Sequence, residues 1–173
     1  MIRKVREMRV EEIDLITNYF HCLTPELLLQ QGIDRNKLPG KEKWKEIISN
    51  DFNQPLEKRK FYYLLWLIDE IPIGHSNLND IVLGEQAYMH LHIWQTDFRQ
   101  KGNGSFFVEQ SLPFYFKKFN LKKIYCRPNS MNPAPNITLQ KVGFQFVKIY
   151  ETIPGWINFN QFVNLWVFNS DSL

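Results

Sequence analysis

The sequence predicts a mixed α/β fold, one sheet with helices on both faces, built as a single domain. Three observations predict it. The first third carries apolar residues at helical spacing. A dense apolar and aromatic run at residues 61–69 then opens a succession of strand-like segments. A glycine turn at Gly102 and Gly104 separates those strands from a later helix, after which a strand, a helix and a hairpin follow. The 173 residues suffice for one domain over 1–173, and no internal repeat, low-complexity tract or Gly/Ser linker divides them.

Taken in order, Glu11 to Cys22 places Ile13, Leu15, Ile16 and Phe20 near helical spacing. Thr24-Pro25 reads as an N-cap followed by proline at the first helical position, and Gly32 as a stop. Another helix is expected from Lys41 to Ile48, so residues 1–55 read as a helical N-terminal part. Phe61 to Asp69 suits a strand buried on both faces. Ile71 to Asn79 and Ala87 to Trp94 read as two further strands, with a glycine in the Ile81–Glu85 connection as a hairpin requires. Ser105 to Phe119 reads as a helix, and Pro113 inside it should kink it or remove a hydrogen bond. Lys122 to Arg127 is a strand. Asn132-Pro133 opens a short helix that Gly143 ends. Phe144 to Thr152 and Phe162 to Phe168 form a last pair of strands around a Pro154-Gly155 loop.

Bulk composition narrows the function. Hydrophobic residues at 44% and charged residues at 23% describe a globular chain. No apolar run approaches the roughly 18 residues that span a bilayer. Met1 to Val10 carries both signs of charge and lacks the apolar stretch of a secretory signal. Cys22 and Cys126 form no metal, redox or disulfide spacing, which points to a reducing, cytoplasmic setting. The net charge of +3, from 21 basic and 18 acidic residues, is too mild to argue for nucleic acid. Fourteen Phe and five Trp read first as a core of large rings. Tyr19, Phe20, Trp44, Trp156 and Phe159 are also candidates for a pocket wall. The loop from Ile153 to Asn158 is a candidate cover for a site or contact for a dimer partner, and monomer and homodimer both fit.

The glycine turn carries the first chemical signal. A phosphate needs converging backbone N–H groups, and glycines let the backbone come close. Gly102 and Gly104 stand between a strand and a helix whose positive dipole end faces the strand terminus, with Arg99 and Lys101 beside them. This arrangement suits a phosphate or pyrophosphate. A tight turn with solvated charges is the plainer reading. The dinucleotide pattern is excluded, because Phe107 occupies its third glycine position and no βαβ unit precedes the turn.

Arg99, Gly102 and Gly104 resemble the acyl-CoA signature Arg/Gln-x-x-Gly-x-Gly/Ala of the GNAT superfamily of N-acyltransferases. The segment Asn132 to Phe144 resembles that family's later Asn-x-x-Ser/Ala…Glu-Lys-Leu-Gly-Phe helix and turn. The resemblance covers residues 60–168. It implies a mostly antiparallel sheet of about six to seven strands, with residues 60–168 as acyl-CoA-binding sheet and hairpin and residues 1–55 as the acceptor side. It implies that Arg99, Gln100, Lys101, Gly102, Asn103, Gly104 and Ser105 hold the pyrophosphate. Ile93, Trp94 and Asn132 would meet the cofactor arm, which runs between the splayed fourth and fifth strands. Acetyl-CoA is then the acyl donor, an amine of a small molecule or peptide the acceptor, and no metal, nucleic acid or membrane takes part. Pro135 departs from the serine common in the branch that acetylates ribosomal-protein N-termini.

Many relatives use a carboxylate on the fourth strand as base and a tyrosine in the last motif as acid. Here those positions fall at Tyr88 and Leu139, so neither role carries over. The strand instead offers His90 and His92, on one face with Tyr88. A symmetric hairpin centred between Leu83 and Gly84 puts His75 opposite His92 and Asn77 opposite His90. A neutral histidine can take an amine's proton near pH 7. His92 or His90 is thus the candidate base, and His75 and Asn77 would orient it or bind the acceptor. Tyr88 and Tyr125 are weak candidate acids, and Cys126 a weak candidate nucleophile. A backbone N–H near His92 or Ile93 would meet the thioester oxygen. A polar network holding the strands together explains the same residues. Clustered histidines are also common metal ligands, but no metal is expected here because no carboxylate or cysteine clearly completes the shell. The alternative function is a non-catalytic acyl-CoA-binding or sensing module, which loss of the usual acid and base favours.

Overall fold

The computed structural model describes all 173 residues. Seven strands form one sheet in the order β1-β2-β3-β4-β5-β7-β6. They are β1 (Arg3–Glu7), β2 (Tyr62–Ile68), β3 (Ile71–Val82), β4 (Gln86–Ile93), β5 (Lys123–Cys126), β6 (Gln145–Thr152) and β7 (Gln161–Asn169). Five α-helices accompany them: α1 (Ile13–His21), α2 (Pro25–Gln30), α3 (Lys41–Phe52), α4 (Asn103–Phe119) and α5 (Pro133–Val142). Only β4 and β5 pair in parallel.

β2 is the central plank. All seven of its residues are buried, and their alternation divides the core in two. Tyr62, Leu64, Trp66 and Ile68 pack with Phe107, Leu112, Tyr115 and Phe119 of α4 and Leu139 of α5. Tyr63, Leu65 and Leu67 pack against Ile16 and Phe20 of α1, Leu28 of α2, and Trp44 and Ile48 of α3. Helices therefore cover both faces, as the sequence predicts.

The helix signals hold where capping fixes them. The Thr24 hydroxyl accepts the Leu27 N–H (3.3 Å) at the start of α2. Gly143, at φ +99°, ends α5 in the left-handed conformation that only glycine adopts freely. α4 continues through Pro113, which deprives the exposed Glu109 carbonyl of its helical donor without ending the helix. α3 runs to Phe52, one turn beyond the expected end.

The N-terminal part is not helical throughout, because β1 opens it. Its sequence, Arg-Lys-Val-Arg-Glu, has no apolar alternation to announce a strand. It is an edge strand, and charge on an edge is tolerated because water or surface partners can take it. Arg6 makes a bidentate pair with Glu12 (2.7 and 2.6 Å), and the Arg3 guanidinium lies 3.7 Å over the Phe106 ring.

Two features of the sheet create the site. The β3–β4 hairpin has the register that symmetry about Leu83 and Gly84 requires: His75 opposite His92, Asn77 opposite His90. β4 and β5 pair only at Gln86–Tyr88 against Lys123–Tyr125 and then part. β4 runs on to Ile93 while β5 ends at Cys126, which leaves an open wedge between them.

Candidate active site

The wedge is a cleft of about 630 Å³. Its walls come from Met89 to Ile93 of β4, the glycine turn, the chain after β5, and the start of α5. One cleft thus joins the glycine turn to His90 and His92, which the sequence separates by about ten residues and the extended β4 strand connects.

At one end, the turn is built to receive an anion. Gln100 (φ +58°) and Gly102 (φ +74°) are left-handed, and they rotate successive N–H groups inward. The first N–H of α4 to find a carbonyl is that of Phe106, on Gly102 (3.2 Å). The N–H groups of residues 100–105 make no backbone hydrogen bond, as expected for a helix start that leaves its first donors open. A Cβ added at Gly102 meets nothing within 4 Å, so the space beside that backbone is open to a ligand. A Cβ at Gly104 would lie 3.2 Å from the Thr138 hydroxyl, so this glycine lets α4 approach α5. The residues therefore fit a pyrophosphate.

Side chains around the turn divide by role. Arg99 lines the cleft and donates from Nε and Nη2 to the Ile93 carbonyl (3.1 and 2.8 Å), fixing the turn to the end of β4. Asn103 is buried, and its Nδ2 donates to the Phe98 carbonyl (3.0 Å), so its side chain shapes the turn. Gln100, Ser105, Ile93 and Asn132 line the cleft, whereas Lys101 is exposed outside its wall. Trp94 corrects the expectation of a cofactor contact. Its indole N–H donates to His75 Nδ1 (2.8 Å), and the ring packs toward the α1 side.

The other end holds the histidines. His75 and His92 stack with ring centroids 4.8 Å apart. His92 Nδ1 lies 3.4 Å from the Tyr19 hydroxyl, and His90 Nε2 lies 3.1 Å from Asn79 Oδ1. The remaining nitrogens, His92 Nε2 and His90 Nδ1, make no hydrogen bond and are not sealed from the cavity. Burial is the main cause that lowers both rings below the usual histidine range, His90 to about 4 and His92 to about 3. Arg127 pushes His90 further down, and His90 and Arg99 do so for His92. Both are neutral at pH 7.

His75 does not reach the cleft. It is 0% exposed, its Nδ1 accepts from Trp94, and its Nε2 has no partner. Burial lowers its pKa well below the usual value, with His92 and His90 adding to the effect. It supports His92 from behind and cannot touch an acceptor. Asn77 does line a side pocket beyond the histidines. Tyr88 is also corrected: it sits where β4 and β5 still pair, stacked on Tyr125 (5.4 Å) beneath the Arg127 guanidinium (3.9 Å), outside the cleft wall. No group of three or more His, Cys, Asp or Glu is arranged to hold a metal ion.

Tyr19, a candidate pocket residue, enters the cleft from α1, and Gln31, which no sequence signal marked, enters from the end of α2, its Nε2 donating to the Tyr19 hydroxyl (3.0 Å). Pro154 and Asn158 come from the loop between β6 and β7. That loop is pinned to the α2 end by Asn158 Nδ2 donating to the Gly32 carbonyl (2.8 Å) and Lys37 Nζ donating to the Asn158 carbonyl (2.7 Å).

The profile of the acetyltransferase (GNAT) domain matches residues 5–145. No curated protein matches the chain by sequence. Among solved structures, the spermidine N-acetyltransferase from Vibrio cholerae in complex with CoA and spermine is similar over 98% of this chain and 96% of its own, at 16% identity and a TM-score of 0.78. The ribosomal-protein α-N-acetyltransferase RimL in complex with coenzyme A is similar over 99% and 96%, at 15% identity and 0.77. An aminoglycoside acetyltransferase in complex with coenzyme A and kanamycin is similar over 99% and 96%, at 12% identity and 0.76. At such identities these are likenesses of fold.

Proposed function

The chain belongs to the GNAT acetyltransferase family, and on that premise we propose that it transfers an acetyl group from acetyl-CoA directly to a primary amine in the β4–β5 cleft. The observation that carries this reading is the single cleft that joins the open N–H groups of residues 100–105 to the free nitrogens of His90 and His92. A donor lying along β4 spans that distance with its phosphates at one end and its thioester at the other. The relatives' complexes with coenzyme A support the same ligand.

Trp94 N–H donates to the Ile73 carbonyl, and strand alternation then turns the N–H groups of Leu91 and Ile93 away from β3, toward the wedge. One of them meets the thioester oxygen as negative charge builds on it. His92 cannot, because its own N–H is directed at β3. The amine nitrogen attacks the carbonyl carbon, the C–N bond forms, and the C–S bond breaks. His92 Nε2 or His90 Nδ1 accepts an amine N–H. A base with a pKa of about 3 to 4 holds a proton only briefly, so the proton passes on through water. The leaving thiolate takes a proton, and Tyr19, whose hydroxyl lines the cleft beside His92, replaces Tyr88 as the candidate donor. The two cysteines, both free, fit a reducing cytosol.

The test is thiol release from acetyl-CoA with and without an amine panel. The reading expects release that requires an amine. His90→Gln with His92→Gln should lower kcat about 100-fold while acetyl-CoA still binds. Binding of acetyl-CoA with no amine-dependent release would make the protein a non-catalytic binding module. Equal kcat in the double variant would remove the histidines from the mechanism.

A further inference from the structure

The acceptor end of the cavity opens into a side pocket of about 90 Å³. Gln31, His90, His92 and Asn158 line both spaces and form the junction between them. Beyond the junction the wall is aromatic: Phe20, Trp44, Phe61, Tyr63 and Trp156. Trp156 closes the outer side, with its ring 5.8 Å from Trp44 and 6.4 Å from Phe61. Ile33 and Ile157 add apolar surface, and Asn77 and Asn79 supply neutral polar groups near the histidines.

The charges on this wall are one-sided. Arg99, Arg127 and Lys141 line the cleft, with no aspartate or glutamate in either space. Asp51, the one buried carboxylate of the chain, accepts the N–H groups of Lys60 and Phe61 (2.8 and 3.0 Å). Asp80 is paired with Arg127 (3.0 Å). A ligand carrying several ammonium groups would have to desolvate them with no carboxylate to meet them, and ring faces offset only part of that penalty.

We propose that the acceptor is a small monoamine whose body is a branched alkyl group or a single aromatic ring, seated in the side pocket with its nitrogen at the His90–His92 junction, and that polyamines and aminoglycosides are poor acceptors. This rests on the acetyltransferase reading above. At about 90 Å³ the pocket alone is smaller than the roughly 150 Å³ dry cavity that holds a benzene ring, so such a body fills it and extends through the junction toward the cleft. Burial and the nearby Arg127 disfavour the ammonium form of the bound amine, so the neutral nucleophile is the species the site retains. The amine forms its C–N bond to the acetyl carbon as the C–S bond breaks. It loses one proton through water, and the departing sulfur gains one.

The experiment compares 2-phenylethylamine and isopentylamine with spermidine and kanamycin, by kcat/KM in acetyl transfer and by binding in the presence of coenzyme A. The two monoamines should exceed spermidine and kanamycin by at least about tenfold in kcat/KM. Trp156→Ala, at a half-exposed position that threatens folding little, should raise the KM for 2-phenylethylamine about tenfold and leave the KM for acetyl-CoA unchanged. Spermidine or kanamycin equalling the monoamines would overturn the proposal and leave the acetyltransferase reading standing. If no amine is acetylated, that reading fails, and binding still decides the pocket. Saturable 2-phenylethylamine binding weakened by Trp156→Ala supports it, and no such binding overturns it.

Discussion

Acidification from pH 7.5 to 5 should destabilise this protein through three histidines. His75, His90 and His92 are all held below the ordinary histidine range, chiefly by burial. Their stabilising effect is full above an unfolded value near 6.5 and is lost as pH falls from there toward the folded values, because the unfolded chain then binds protons the native state refuses. For His90 and His92, held to about 4 and about 3, the loss between pH 7.5 and 5 is about 2 kcal/mol each. Together they give about 4 kcal/mol as an upper bound, and His75 acts in the same direction. His90 and His92 touch the water of the cleft, so about 2 kcal/mol is the working figure for the pair. Glu12, held down to about 2 first by its hydrogen bond with Arg6, titrates in a lower window and does not interfere. Urea unfolding followed by tryptophan fluorescence at several pH values between 7.5 and 5 measures the loss. His90→Asn with His92→Gln should remove the pair's part of the slope and leave only what His75 contributes. A stability that is constant over this range, or an unchanged slope in the variant, would refute the view that these rings are buried and neutral.

Two further substitutions separate ligand binding from folding. Gly102→Ala adds a methyl at φ +74° into open space. It should cost about 1–2 kcal/mol of backbone strain, read as a fall of a few degrees in Tm. Acetyl-CoA affinity, read by calorimetry, should fall about tenfold or more because the methyl stands where the phosphate must approach the backbone. Asn136→Ala should lower stability by about 3 kcal/mol in chemical denaturation. Asn136 Oδ1 accepts from Asn164 and Trp166 (both 2.8 Å), and Nδ2 donates to the carbonyls of Asn129 (3.1 Å) and Asn132 (2.7 Å), so its loss removes four hydrogen bonds, and of the four partners the Asn129 carbonyl keeps another, the Asn132 N–H (3.1 Å).

The legible part of the fold was the part set by local chemistry. Apolar density announced β2, and caps at Thr24 and Gly143 announced the limits of their helices. The β3–β4 register followed from a short hairpin, whose symmetry determines every opposite pair once its centre is known. The glycine turn was legible because a left-handed residue before a helix calls for glycine at Gly102. What escaped depended on distant partners. β1 is stabilised by pairing with β2 and has no apolar pattern of its own. Tyr88 shares a face with His90 and His92, yet the place where β4 leaves β5 decides that it stacks on Tyr125 and does not enter the cleft. His75 faces the same way as His92, but α1 and Trp94 seal it. Arg127 and Gln31 reach the site from two separate segments, which no spacing along the chain announces.

Direct transfer in the β4–β5 cleft is tested most directly by following labelled acetyl groups. Protein mixed with isotopically labelled acetyl-CoA, first alone and then with an amine, is analysed by mass spectrometry while free thiol is measured. Without amine, the account predicts no label on the protein, Cys126 included, because burial pushes that thiol up and out of its reactive form. With amine, it predicts N-acetylated product equal to the thiol released. A labelled protein in the absence of amine, or thiol release without N-acetyl product, would contradict it.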